Sequence, residues 1–359
     1  MAVQFMDGFE HYDLQTDVYL KWTNANSAIP TTFGRNGRGL QIGQVYKTLN
    51  HQAGWVTSFA MYIANTSGVP LSNMYVQLNV STQLMALMLA PDFTLAMFSG
   101  GNLACTSTPV SIHTGTWNSY QVKVAYTVGG MSGVNVLLTA SVKLNGVVVM
   151  SCTNVDSGID ASTLFVAGAT TDVHSFVGPA TLQPTFLDDV VIADTSGNGV
   201  VNDFFGDVAI GLIQPAADVT TDWTPTPAGS SYVLVNSQFP ENSLGTISDN
   251  NPTDQDNFDW QPISGGAIVA LHYGIFARKN AEGTRSFQPT IGGIIPSAPA
   301  NNAHSPSSAP FSGYPPPIFY PGDSYQYYFF AMDSEPGGSP TPWTAAAVNA
   351  TTFGVELIS

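Results

Sequence analysis

The chain has 359 residues, enough for roughly two domains. Charged residues make up only 9% of it, against a usual ~25%, and 9 basic residues face 25 acidic ones for a net charge of −16. With no Lys or Arg between Lys143 and Arg278, it has no basic stripe for phosphates and is repelled by anionic lipid, so nucleic acid and membrane are excluded as partners.

The first ten residues lack a basic region followed by an apolar one, so no signal peptide is expected and synthesis is placed in the cytoplasm. The longest apolar run, Leu84–Ala90, is far below the ~20 residues that span a bilayer. Cys105 and Cys152 are the only cysteines; they could pair, but two are too few for a disulfide framework, and buried, reduced thiols are expected. Strands are predicted at Leu40–Tyr46, Trp55–Ile63, Tyr75–Val80, Leu84–Leu89 and Thr94–Phe98.

Period-2 alternation is clearest at Trp117–Val128. Tyr120, Val122, Val124, Tyr126 and Val128 share one face; Ser119, Gln121, Lys123 and Thr127 share the other. Residues 134–144 repeat the pattern and end at Asn145-Gly146, whose tolerance of positive φ predicts a type I′ hairpin into Val147–Met150. Trp117, Tyr120, Val122, Val124 and Val136 are expected in the core. After a strand at Phe186–Ala193 the composition shifts near residue 205. A strand is predicted at Asp207–Ile213, then a Thr/Pro/Asp turn segment at Pro215–Gly229 and strands at Ala267–Arg278 and Tyr325–Met332. Between those last two, Ile294–Gly322 contains eight prolines and reads as a long exposed arm. Thr341 or Thr344 can cap a short helix at Ala345–Asn349 before a final strand, Phe353–Ile358. The pattern predicts an all-β protein: a sandwich over residues 1–204, then a smaller β-rich domain over 205–359 with a short C-terminal helix.

Nucleophile elbows, phosphate loops and zinc-spaced histidines are missing from the sequence. Asp188 and Asp189 are adjacent, so an extended strand would turn them to opposite faces, which argues against paired catalytic carboxylates. No catalytic residue is assigned and the chain is expected not to be an enzyme. Calcium is the one cofactor considered. Its hard-oxygen candidates are Asp188, Asp189, Asp194 and Asn198, and Asp249, Asn250, Asp254, Asp256 and Asp259, with Asx-turn chemistry as the plainer account of both groups. Tyr325, Tyr327, Tyr328 and Phe330 would cover both faces of their strand, which suits core packing better than a sugar-stacking shelf.

Several phrases resemble a family of tailed-bacteriophage virion structural proteins that carry an N-terminal concanavalin A-like (laminin-G-like) jelly roll. They are Phe5–Asp13 (FMDGFEHYD), Lys21-Trp22-Thr23, Gly34–Leu40 (GRNGRGL), Trp117…Val122, Val142–Gly146 and Phe186–Asp194 (FLDDVVIAD). Downstream, Phe205–Val208, Thr221–Pro225, Ala277–Ser286 and Trp343–Leu357 continue the likeness across nearly the whole chain. The proline-rich arm departs from it as an insertion. The resemblance implies a jelly-roll sandwich and a structural role in the virion, as a tail- or neck-associated, fibre or capsid-decoration protein. The implied partners are copies of itself and other virion proteins; no catalytic residue or cofactor is implied. The arm is free of charge up to Asp323, and Phe311, Tyr314, Ile318, Phe319 and Tyr320 would anchor it on a neighbouring subunit. Two alternatives share the fold: a carbohydrate-binding module for host-surface glycans and a polysaccharide depolymerase.

Overall fold

The computed structural model describes residues 3–358 apart from 65–73, 81, 90–92, 100–101, 111, 130–134, 161–170, 179–184, 196–202, 238–244, 280–284, 293–320, 322–324 and 333–340. The chain forms two compact units, residues 3–210 and 211–359.

The first unit begins β1 (Val3–Asp7), α1 (Gln15–Val18), β2 (Asn24–Asn26), β3 (Ile29–Thr31), β4 (Gly39–Gln41), β5 (Gln44–Asn50) and β6 (Gly54–Ile63). It continues with β7 (Met74–Val80), β8 (Thr82–Leu89), β9 (Leu95–Ser99), β10 (Asn102–Thr106) and β11 (Trp117–Gly129). It closes with β12 (Asn135–Leu144), β13 (Val147–Asp160), β14 (Thr171–Val177) and β15 (Thr185–Asp194). These strands make an antiparallel jelly-roll sandwich. One sheet has the order β13-β12-β11-β6-β15-β4-β3, with β1 also on β15; the other has the order β10-β9-β8-β7-β14-β5-β2.

The inner face follows the alternation in the sequence. Tyr120, Val122, Val124, Val136, Leu138 and Val142 are buried, and Tyr120 stacks on Phe59 across the β11–β6 pair with ring centres 5.2 Å apart. Phe59 meets Phe176 of the second sheet edge-on at 5.3 Å, and Trp55 meets His174 at 4.5 Å, so the two sheets interlock through aromatic rings. Asn145 and Gly146 both take positive φ, as the type I′ turn requires. β13 runs on to Asp160, well past the expected Met150.

Three expectations for this unit are corrected. Leu40–Tyr46 is not one strand: the chain leaves the first sheet at Gln41 and enters the second at Gln44, because a sandwich corner must pass between layers. Cys105 and Cys152 are not free thiols. They form a disulfide that ties β10, at the edge of one sheet, to β13, at the edge of the other. Trp117 is not in the core, since it shares parity with Ser119 and Gln121 and lies on the outer face, half-buried.

The opening phrase folds into a buried hub. The Asp7 carboxylate accepts bonds from the Phe9 amide (3.0 Å), Tyr12 hydroxyl (2.6 Å) and Trp22 indole (2.7 Å), and Lys21 Nζ lies 3.6 Å away. Burial alone would raise the Asp7 carboxyl; Lys21, His11 and these bonds outweigh it and hold it below its ordinary value. A charge with no exposed surface needs this many partners.

The second unit comprises β16 (Pro215–Thr221), β17 (Thr224–Thr226), α2 (Ser231–Val235), β18 (Thr246–Ser248), β19 (Gln255–Trp260), β20 (Leu271–Ala277), β21 (Phe287–Ile291), β22 (Gln326–Met332), α3 (Ala345–Asn349) and β23 (Phe353–Leu357). Its sheets are β16-β19-β23-β21, β17-β18 and β20-β22, over a core that includes Tyr273, Phe287, Tyr328, Trp343 and Phe353. Thr344 caps α3 by accepting the Ala347 amide at 3.0 Å, and Trp343 is buried. Two expectations change here. Asp207–Ile213 is not a strand. Pro215–Gly229 is not all turn, since β16 and β17 lie within it; Pro215 is tolerated as the first residue of an edge strand.

Candidate functional site

The outer face of the larger sheet is the candidate site, and cross-strand register builds it. Trp117 on β11 pairs with Tyr62 on β6, and Tyr62 pairs with Phe186 on β15. Three aromatic side chains therefore stand in one row across three strands, about 10 Å at the usual ~4.8 Å strand spacing. Phe33, from the loop between β3 and β4, lies on the row, with ring centres 4.7 Å from Tyr62, 4.8 Å from Phe186 and 5.9 Å from Trp117. It is 40% exposed; the other three are half-buried.

Beside the row lies a polar latch. A β-bulge between Asp188 and Val191, with Asp189 at φ 53°, breaks the alternation of β15. Both carboxylates consequently turn to the same arginine, contrary to the expectation of opposite faces. Asp188 accepts the Arg35 amide at 2.6 Å; Asp189 accepts the Arg35 guanidinium at 3.3 Å and the Ile210 amide at 2.6 Å. The same guanidinium forks onto Asp207 and donates to the Val208 carbonyl at 2.9 Å. Residues 203–210 thus cross the sheet as a strap: Asp203 holds Lys123 at 3.0 Å, Lys143 sits 4.3 Å over the Phe204 ring, and Gln121 donates to the Gly206 carbonyl. Ser58, Ser119 and Gln121, all on this outer face, are buried.

Burial, reinforced by the neighbouring Asp189 charge, pushes the Asp188 carboxyl up to about 8. Burial pushes Asp189 up to about 6 against the opposing Ile210 and Arg35 bonds. Glu10, which accepts the Arg38 amide at 3.0 Å, is also raised by burial. Carboxyls perturbed in this way occur at working sites and in structural ion-pair networks alike.

The calcium candidates are dispersed. Asp194 accepts Gln4 at 2.7 Å, away from the Arg35 latch, and Asn198 lies outside the described residues. Asp249 closes an Asx turn on the Asn251 amide at 2.9 Å, and Asp254 accepts the Asn251 side chain. Asp256 is buried, raised by that burial to about 6, and accepts the Trp223 amide; Asp259 is exposed and Asn250 is exposed. Among the described residues no group of three or more His, Cys, Asp or Glu is placed to hold a metal. Tyr328 is fully buried, while Tyr325 stacks on Phe276 at 5.0 Å. Phe311, Tyr314, Ile318, Phe319 and Tyr320 lie outside the described residues. Sequence reasoning missed the row. Its signal was parity: Trp117 is odd-numbered where the core face of its strand is even.

No family model and no curated protein matches the chain. Among solved structures it is similar to the alginate lyase Aly36B, at 10% identity and a TM-score of 0.35, over 54% of this chain and 98% of that one. It is similar to the catalytic domain of a glycoside hydrolase family 131 protein from Coprinopsis cinerea, at 15% identity and a TM-score of 0.35, over 57% and 98%. It is also similar to the Caenorhabditis elegans galectin LEC-6, at 10% identity and a TM-score of 0.25, over 41% and 89%. The class, set by the chain's own sheet topology, is that of an all-β antiparallel sandwich. One expectation is corrected by these likenesses. Lyases and a hydrolase catalytic domain are among the similar folds, so the chain is not set apart from enzymes as the sequence reading had it.

Proposed function

We propose that the first unit is a carbohydrate-binding module that holds a glycan against the exposed Phe33 ring and the uncovered edges of the row Trp117–Tyr62–Phe186 on which it lies. The in-register row is the observation that carries this reading. A pyranose presents C–H bonds on one face, and the negative face of an aromatic ring is complementary to them. Partly exposed aromatics fixed on a rigid sheet bind with little loss of side-chain entropy. A glycan array probed with the purified chain and with Trp117→Ala tests it: wild type should bind a restricted set of glycans, and the variant should lose it. Equal binding by both, or none by wild type, removes the proposal.

A second reading rests on the resemblance of the ordered sequence phrases to tailed-phage virion proteins: the chain would be a structural component of the virion, in contact with copies of itself and other virion proteins. Its weakly charged surface, 9% charged residues overall, supports packing without desolvating ion pairs. The arm 294–322 would supply one contact. Mass spectrometry of purified particles should find the chain, and deleting 297–316 should impair its incorporation; absence from particles ends this reading. The two roles are compatible in one protein that displays a glycan-binding face on a particle.

A further inference from the structure

We infer that the glycan taken by the aromatic row is electrically neutral and that polyuronates are excluded, an inference that rests on the glycan-binding reading of this face. Tight recognition of an acidic sugar draws on charge-assisted hydrogen bonds from Lys or Arg, with Arg the favoured bidentate partner of a carboxylate. The first unit has six Lys and Arg residues against thirteen Asp and Glu. All six cations are engaged within the unit. Lys21 lies against Asp7, and Lys47 donates to the Lys21 carbonyl with its ammonium 5.0 Å over the Phe5 ring. Arg38 pairs with Asp13 at 3.1 Å and Lys123 with Asp203, while Lys143 covers Phe204.

Arg35 is two residues from Phe33 and is the cation best placed to greet an acidic ligand at the row. Its guanidinium is already spent on Asp207, Asp189 and the Val208 carbonyl. Displacing Asp207 to admit a uronate would exchange one carboxylate for another and leave Asp207 repelling the newcomer. The outward charges near the loop have the wrong sign as well: the side chains of Asp207 and Asp13 are 50% and 57% exposed. Discrimination of this kind comes from a built-in repulsion as much as from attraction. A neutral pyranose meets no such penalty and still gains the aromatic contact.

Titration calorimetry of the full chain with neutral gluco- and galacto-oligosaccharides and with oligomannuronate and oligogalacturonate, at low and physiological ionic strength, tests the inference. At least one neutral oligosaccharide should bind, insensitive to salt and weakened about tenfold or more by Trp117→Ala. The oligouronates should bind at least about tenfold more weakly. Asp207→Ala, checked for a wild-type circular dichroism spectrum, should gain oligouronate binding by freeing the Arg35 Nη2 edge, while Nη1 stays on Asp189 and the Val208 carbonyl. Tighter, salt-sensitive binding of an oligouronate to wild type overturns the inference and leaves the glycan-binding reading standing. Binding of neither kind overturns that reading. A folded Asp207→Ala with no gain overturns the assignment of Arg35 as the gate.

Discussion

Val124 is 2% exposed, between Trp55 of β6 and Ala140 of β12 in register. Burying a valine contributes about 1.5–3 kcal/mol, and a carboxylate there would have no partner. Val124→Asp should lower the melting temperature by about 10 °C or prevent folding. An unchanged melting temperature would show that the inner face is wrongly assigned. Asp188 carries the clearest pH signature. Its folded value of about 8 lies above the ordinary 3.8, so the folded state binds the proton more tightly. The stability this confers is complete below pH ~4 and is lost as pH rises through about 8. Lys47 and His174 are depressed by burial, to about 7 and about 3, and act with the opposite sign. The test is therefore the difference between wild type and Asp188→Asn: the melting temperature of wild type relative to the variant should fall between about pH 4 and 8 and level off above that. Parallel profiles would mean that Asp188 is ionised throughout.

At the scale of elements, the disulfide and the α3 cap make separate predictions. Cys105 and Cys152 are 47 residues apart, and cross-linking a loop of that length restricts the unfolded chain by about 4 kcal/mol in the chain-entropy model, commonly 2–4 in practice. Cys105→Ala with Cys152→Ala should therefore lower the urea midpoint, and unreduced, unfolded wild type should take up no iodoacetamide. Alkylation at both positions would refute the bond. Thr344→Ala removes the acceptor for the Ala347 amide and should cost about 1 kcal/mol in the second unit. That helix was legible because capping is local: Thr344 and Ala345–Asn349 are neighbours in sequence. The hairpin at Asn145-Gly146 was legible for the same reason. The disulfide was not, since pairing of two cysteines depends on where β10 and β13 end up, and the sequence alone does not place them.

For the whole molecule, the first unit has its own core and its own polar hubs. A fragment of residues 1–210 should fold alone and unfold in one cooperative transition, with the buried Trp55 reporting it by fluorescence; a gradual, non-cooperative loss of signal would count against an independent unit. The sequence by itself determined the all-β character, the inner face of β11 and β12, the turn between β12 and β13, and the acidic, phosphate-averse surface. Each depends on period-2 alternation, turn chemistry or charge, which act between residues close in the chain or summed over it. Only the tertiary structure decided that Trp117, Tyr62 and Phe186 stand in one row, that a bulge turns Asp188 and Asp189 onto Arg35, and that the strap at 203–210 crosses the sheet. Those features depend on non-local register, and a shift of one residue between β6 and either neighbour would send a row partner to the opposite face.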